Sequence, residues 1–348
     1  MSAITAAPDA QLRTISYERL RQNDPEIDAQ VFAAGIEVGF FYLDFTDYAS
    51  NQVVKRVDEL FQATQDTYDL PQDEKDVWIV DKDHGDDLPV CGYKKSGVSN
   101  GSVEGKRDGF EGIMVFEHAL ETAEKETTLA APGPLAAKRE LLSTSIHDLH
   151  SAGLAVLSSL SRGLQLPEGE RFEESHRIGE KTATALGLLK YRKYEPTGDE
   201  IGHIAHTDAG SLSFVFSNIG GLQVLMPGTE QWSFIPPKPG CAVVNVGDSL
   251  QFLSRGTLRS SLHRVVPHMD QATQEKYTVV YLFRPESDAI FRDAQGNEWK
   301  SIEWCNKKFS VFRADLAEQK LGSFLTGRDG YTGMTTMEAV RQPGALAA

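Results

Sequence analysis

The sequence predicts a mostly β protein with helical flanks, of α+β class, whose strands form a sandwich or barrel of the jelly-roll kind. Two observations predict it. After Leu186 the chain breaks into eight short runs of β-type residues separated by turn residues. Ahead of them, residues 136–164 place Leu142, Ile146, Leu149, Leu157, Leu160 and Leu164 at alternating three- and four-residue steps, with Gly153 filling one step. That is the pattern of a helix with one apolar face, and such a helix can brace a sheet.

The elements follow in order. Residues 12–16 read as a short strand and residues 25–34 as a helix. Residues 39–45 are rich in aromatics without a helical period, which suits a strand. Between residues 51 and 70, Val54, Val57, Leu60 and Phe61 form an apolar stripe on a helix that Pro71 stops. Residues 81–107 are polar and glycine-rich, the texture of a long surface loop that forms a lid or binding element. Phe110–Phe116 resumes a strand, and Pro132-Gly-Pro breaks the chain before the long helix. The eight later runs are residues 186–191, 211–217, 222–226, 232–235, 241–246, 249–253, 263–266 and 277–283. Residues 303–316 read as a closing helix, and the tail from 322 to 348, rich in Gly, Thr and Ala, suits a mobile end. No linker-like stretch divides the chain. We therefore expect one unit over 1–348, with a mainly helical part at 1–180, the β core at 181–300, and a helix and tail at 301–348.

Composition narrows the function. With 35 Lys and Arg against 50 Asp and Glu, the net charge is −15. Such a chain repels phosphates, so nucleic acid and anionic membrane surfaces are poor partners. The apolar runs are far shorter than the roughly 20 residues of a membrane helix. Cys91, Cys241 and Cys305 are too few and too scattered for a disulfide framework, and the N-terminus has no secretory pattern, so the expected compartment is the cytoplasm.

The informative constellation starts in Gly202-His-Ile-Ala-His-Thr-Asp-Ala-Gly. His206 and Asp208 are two apart, so an extended strand points both side chains to one face. A further histidine, His263, opens a later strand. Two imidazoles and one carboxylate on one face of a metal leave adjacent positions open, the arrangement of non-haem Fe(II) oxygen chemistry. A closed zinc site would take four ligands and favour thiolates, and no cysteine has the spacing to supply one. Alone, His-x-Asp with a distant His is weak. Its setting is specific: Gly220-Gly-Leu-Gln-Val, Asn245-Val-Gly-Asp, His263-Arg-Val and Lys276-Tyr-Thr-Val-Val-Tyr-Leu-Phe-Arg-Pro follow in order.

In these segments the sequence resembles the isopenicillin N synthase-like family of Fe(II)/2-oxoglutarate-dependent dioxygenases. Gly92-Tyr93 and the Phe110 strand are similar to that family's N-terminal region. The resemblance implies a double-stranded β-helix of cupin-like form. It implies His206, Asp208 and His263 as ligands of Fe(II), with 2-oxoglutarate and O2 as co-substrates. It also implies oxidation of a small organic molecule in secondary metabolism, by hydroxylation, desaturation or oxidative rearrangement. The family's Arg-x-Ser, which binds the distal carboxylate of 2-oxoglutarate, is matched here by Lys276 and Thr278. Lysine keeps the charge but not the bidentate fork. Tyr194 matches a tyrosine that hydrogen-bonds 2-oxoglutarate in relatives, and Arg192 stands where the family has asparagine. Tyr93, Phe110 and Arg192 are the expected substrate contacts.

Two other readings stay open at this stage. One is an iron oxidase on the same scaffold that works without 2-oxoglutarate, and the other is a non-catalytic jelly-roll binding protein. Further patterns fail on context. Gly97-Val-Ser-Asn-Gly lacks the preceding apolar strand of a nucleophile elbow. Residues 81–92 lack the terminal glutamate of a calcium loop. His147, His150 and His203 have no third ligand in their own segments, and no nucleotide-binding fingerprint is present.

Overall fold

The computed structural model describes residues 7–47, 51–79, 88–101, 105–124, 129–193, 202–229, 231–319, 322–328 and 333. The N-terminal half runs β1 (Thr14–Ser16), α1 (Tyr17–Arg21), α2 (Pro25–Glu37), β2 (Phe40–Asp44), α3 (Gln52–Tyr68), α4 (Gln72–Asp76), β3 (Cys91–Lys94), β4 (Phe110–Phe116), α5 (Glu117–Thr122), α6 (Gly133–Ala136) and α7 (Arg139–Gly163). The remainder runs β5 (Ala185–Tyr191), β6 (His203–His206), β7 (Leu212–Ser217), β8 (Leu222–Met226), β9 (Gln231–Phe234), β10 (Cys241–Val246), α8 (Asp248–Leu253), β11 (His263–Val265), β12 (Lys276–Phe283), β13 (Ile290–Arg292), β14 (Glu298–Lys300), α9 (Ser301–Phe312) and α10 (Leu316–Gln319).

Local chemistry sets several boundaries. Helix α2 starts where the Asp24 carboxylate accepts the Glu26 N–H and Pro25 takes the first helical turn, whose N–H has no partner to lose. Helix α1 starts on the Ser16 hydroxyl in the same way. In α7, Gly153 is dictated by packing, because a Cβ there would lie 2.5 Å from the Phe283 ring.

Two sheets face each other. The larger has the order β1-β2-β10-β7-β12-β5-β4-β3, and the smaller β6-β11-β8-β9. Strands from both halves of the chain thus share one sheet: β2 pairs with β10, and β4 with β5. Period-2 alternation along β12 decides which side chain goes where. Tyr277, Val279, Tyr281 and Phe283 point to the helices, where with Leu142, Leu149 and Phe214 they build the main core. Lys276, Thr278, Val280 and Leu282 occupy the opposite face, inside the barrel. A smaller core of Phe40, Tyr42, Val224 and Val243 fills the space between the sheets.

Two expectations need correction, and two further elements had not been expected. Residues 248–253 form helix α8, not a strand; the five-residue run 249–253, with three apolar residues, is too short for its period to choose between the two. The segment from 81 to 107 is not all loop, since β3 lies within it with Cys91 and Tyr93 buried. Strand β6, not separately expected, completes the smaller sheet. The hairpin β13–β14 is new as well, and its alternation is hidden by exposed residues. Residues 80–87 and most of the tail beyond 328 lie outside the described residues.

Candidate metal centre

His206 ends β6 and His263 begins β11, and the two are directly paired across the smaller sheet. Asp208 follows two residues beyond the strand. The ligand atoms of the three side chains lie within 4.8 Å of one another. Asp208 Oδ1 is 3.6 Å from His206 Nε2 and 3.7 Å from His263 Nε2.

Each of the three is held by its non-converging atom. His206 Nδ1 lies 2.7 Å from the Ile204 carbonyl and His263 Nδ1 3.1 Å from the Ser261 carbonyl. Donation from Nδ1–H leaves both Nε2 lone pairs free, the arrangement that orients ligating histidines. Asp208 Oδ2 accepts the Ser213 hydroxyl at 2.6 Å and the Asn245 amide at 2.8 Å, which leaves Oδ1 free. Asn245 of the Asn245-Val-Gly-Asp segment therefore acts on the site directly. Gly247 is needed because two backbones meet here: a Cβ would lie 2.2 Å from the Gly210 carbonyl oxygen. The close approach lets the Asp248 N–H donate to the Asp208 carbonyl at 2.7 Å.

Protonation suits the same use. Burial, with His206 alongside, pushes the His263 imidazole down to about 4, so it is neutral near pH 7. Burial works against the Asp208 carboxylate, but His263, His206 and the Ser213 hydroxyl outweigh it, and Asp208 titrates well below the usual carboxylate range. Two free imidazole nitrogens and one carboxylate oxygen, with no thiolate, fit a divalent iron that keeps open positions.

A β-bulge adds a residue that sequence reasoning left aside. Val265 pairs with His203 while His263 pairs with His206, so β6 carries one residue more than β11 over this span. The extra residue turns His203 to the same side as His206, and their Nδ1 atoms are 3.1 Å apart. The His203 ring packs edge-on to Phe110 at 4.9 Å and against Phe312 of α9 at 5.5 Å. Phe312 also meets the His206 ring at 5.1 Å. Phe110, His203 and Phe312 thus wall one side of the centre. Spacing cannot reveal a bulge, so His203 had no signal in the sequence.

The other expected residues are distributed as follows. Lys276 is 2% exposed inside the barrel. Its ammonium donates to the carbonyls of Ile219 at 2.8 Å and Gly220 at 3.0 Å. Among the described residues it has no carboxylate partner, and burial pushes it down to about 7. Thr278 shares that face and meets the Ser217 hydroxyl at 2.8 Å. A cavity of about 340 Å³ is lined by Lys276, Val215, Ser217 and Val243, and on its outer side by Val57 and Phe61 of α3. Tyr93 lies on the helix side of the larger sheet, its hydroxyl donating to Glu111 at 2.6 Å, away from Phe110. The Arg192 side chain is exposed at the end of β5. Tyr194 is outside the described residues.

Comparison with known proteins agrees with this geometry. Residues 185–285 match the 2OG-Fe(II) oxygenase superfamily, and residues 12–132 match the family described as non-haem dioxygenase in morphine synthesis N-terminal. The 2-oxoglutarate-dependent dioxygenase gloE of Glarea lozoyensis is 36% identical over 327 residues, covering 94% of this chain and 95% of that one. The 2-oxoglutarate-dependent dioxygenase frbH of a Dothideomycetidae species is 32% identical, covering 94% and 98%. Among solved structures, a full-length Neurospora crassa protein in complex with alpha-KG has a TM-score of 0.68 at 18% identity, covering 89% of this chain and 100% of that one. The rice dioxygenase for auxin oxidation has a TM-score of 0.62 at 22% identity, covering 88% and 97%. These structures share the jelly-roll core with helical flanks. The chain belongs to the 2OG-Fe(II) oxygenase superfamily. It is a 2-oxoglutarate-dependent dioxygenase, with Fe(II) as its cofactor and 2-oxoglutarate and O2 as co-substrates.

Proposed function

We propose that His206, Asp208 and His263 hold the Fe(II), and that Lys276 and Thr278 receive the distal carboxylate of 2-oxoglutarate. The observation that carries the second assignment is a buried ammonium with two of its three protons on backbone carbonyls and no counter-charge among the described residues. A buried charge without a partner is costly, and an incoming carboxylate removes the cost. Thr278 adds a hydroxyl donor on the same face. The single remaining ammonium proton makes the contact monodentate, unlike the fork of an arginine. Tyr194 is assigned a hydrogen bond to the same co-substrate.

When bound, the iron couples oxidative decarboxylation of 2-oxoglutarate by O2, giving succinate and CO2, to oxidation of a substrate C–H bond. The protein's residues orient and exclude. Ser213 and Asn245 fix the Asp208 carboxylate, the Ile204 and Ser261 carbonyls fix the imidazoles, and Phe110, His203 and Phe312 keep water from one side. Phe110 contacts the substrate, a small organic molecule of secondary metabolism. Tyr93 and Arg192 are the other contacts expected from sequence; Arg192, exposed just past β5, stays a candidate contact, and Tyr93 acts only by supporting β3 and β4.

We further propose that the whole chain works as one unit in the cytoplasm. The buried free thiols of Cys91, Cys241 and Cys305 support a reducing compartment. Among the described residues no helix is long and apolar enough to cross a membrane.

Anaerobic titration with Fe(II) and then 2-oxoglutarate tests the assignment. A weak visible charge-transfer band develops in the wild type and is lost in His206→Ala. A band that persists in His206→Ala removes His206 from the ligand set.

A further inference from the structure

Arg284 follows β12 directly, on the barrel-facing parity of Lys276, Thr278, Val280 and Leu282. It is 7% exposed. Its guanidinium donates to the Ala183 carbonyl, its Nε is buried with no partner, and no carboxylate among the described residues pairs with it. Two other cations of the barrel are neutralised: half-buried Lys94 pairs with Asp108 at 2.5 Å, and buried Lys308 pairs with Asp248. Arg284 is thus a buried arginine with spare donors and no counter-charge.

Its position relative to the metal follows from register. Leu282 pairs with Ser213, the residue that holds Asp208. Arg284 lies one inward step beyond that level, and its stem rests where a side chain at Gly210 would be, since a Cβ there would come within 2.8 Å of Arg284 Cγ. Lys276 lies eight residues back along the strand, about 26 Å for extended chain. The metal-facing residues sit between the two cations. On the Arg284 side a row of rings leads to the metal: the guanidinium carbon is 5.7 Å from the Phe309 ring centre, Phe309 is 6.2 Å from Phe312, and Phe312 packs on His206.

We propose that Arg284 recognises a carboxylate on the substrate to be oxidised, held apart from the reacting carbon by an apolar body lying along Phe309 and Phe312. This rests on the metal assignment made above and names the substrate class for that site. One uncompensated guanidinium balances a single negative charge, such as that of a carboxylate, and leaves a phosphate dianion half neutralised. The net charge of −15 works against polyanions as well. Arg284 is a specificity-determining residue here, not a catalytic one.

The test is calorimetric binding to the full chain loaded with Fe(II) and 2-oxoglutarate without O2. Its probes are phenylacetate, 3-phenylpropanoate and octanoate, each beside its neutral amide. At least one acid binds about tenfold more tightly than its amide in the wild type. That preference disappears in Arg284→Gln, while the charge-transfer band with 2-oxoglutarate stays. In Arg284→Lys the preference is reduced but present, and this variant decides the matter should Arg284→Gln fail to fold. No acid preferred over its amide in the wild type, or a preference undiminished in both variants, overturns the proposal. A charge-transfer band that never forms, beside an acid preference lost in Arg284→Gln, overturns the metal or co-substrate assignment and leaves the anion site standing.

Discussion

Lys308 and Asp248 form an ion pair closed to solvent directly behind the turn that carries His206 and Asp208. The Lys308 ammonium also donates to the Thr207 hydroxyl at 2.6 Å, and Asp248 accepts the Ser260 hydroxyl at 2.8 Å while its N–H holds the Asp208 carbonyl. Helix α9 therefore clamps the turn between His206 and Asp208 from outside. Replacing one partner leaves the other charge buried and alone, which costs about 3–5 kcal/mol. Urea denaturation of Lys308→Met will show a loss of that order, largely recovered in Lys308→Met/Asp248→Asn. Equal stability of wild type and Lys308→Met would show that the pair contributes nothing.

The Asp208 clamp predicts a selective loss. Asn245→Leu and Ser213→Ala each remove one hydrogen bond to Oδ2 and free the carboxylate to rotate. Removing such a support typically lowers metal affinity by about 10- to 100-fold. Competition with a chelator will read this directly, and an unchanged Fe(II) affinity in both variants refutes the clamp.

Lys276 gives a pH dependence with a definite sign. Its ammonium, pushed down from the ordinary lysine range to about 7 by burial, loses its proton as pH rises through that value. If Lys276 receives the 2-oxoglutarate carboxylate as proposed, the charged form is required, so binding is flat below about pH 7 and weakens toward tenfold per unit above it. In the protein without 2-oxoglutarate, the unfolded chain holds this proton up to the ordinary lysine range and the folded chain does not. Stability therefore rises with pH from about 7 upward, and Lys276→Met, which has no charge to bury, gains most over wild type below pH 7. Anaerobic titrations from pH 6.5 to 8.5 check the binding arm; a profile in Lys276→Arg as steep as in wild type would clear Lys276 of the effect.

Gly153 offers a packing test far from the metal. A methyl group there must displace the Phe283 ring, which is 1% exposed in the main core. Gly153→Ala is expected to cost about 1–3 kcal/mol by overpacking, even though alanine favours helix. A thermal midpoint at or above wild type would mean that the ring has room to turn.

Legibility in the sequence followed the range of the interaction that mattered. Strands β8 and β10 were readable to the residue, because their apolar runs are bounded by glycine and proline. The grouping of His206, Asp208 and His263 was readable through a short spacing and a distant match, but the pairing of His263 with His206 depends on sheet register, which local sequence does not encode. His203 was hidden by a bulge, and α8 by a run too short to show a period. Arg284 did carry a signal: it has the same parity as Lys276 and Thr278 along one strand, and extending that alternation past Phe283 would have found it. Tyr93 shows the reverse case, where an aromatic beside a plausible motif is on the core-facing side of its strand.

The place of β2 governs how the chain can be made. Tyr42 has Thr14 on one side and Val243 on the other, so the second neighbour of this early strand is synthesised some two hundred residues after it. During translation the apolar Phe40–Asp44 segment waits with one edge open until Cys241–Val246 has left the ribosome. Such distant pairing is slow and exposes nascent chains to aggregation. Chains released before residue 241 will therefore accumulate as insoluble fragments, and a yield that improves with chaperone supply or slower synthesis at low temperature follows from the same strand order.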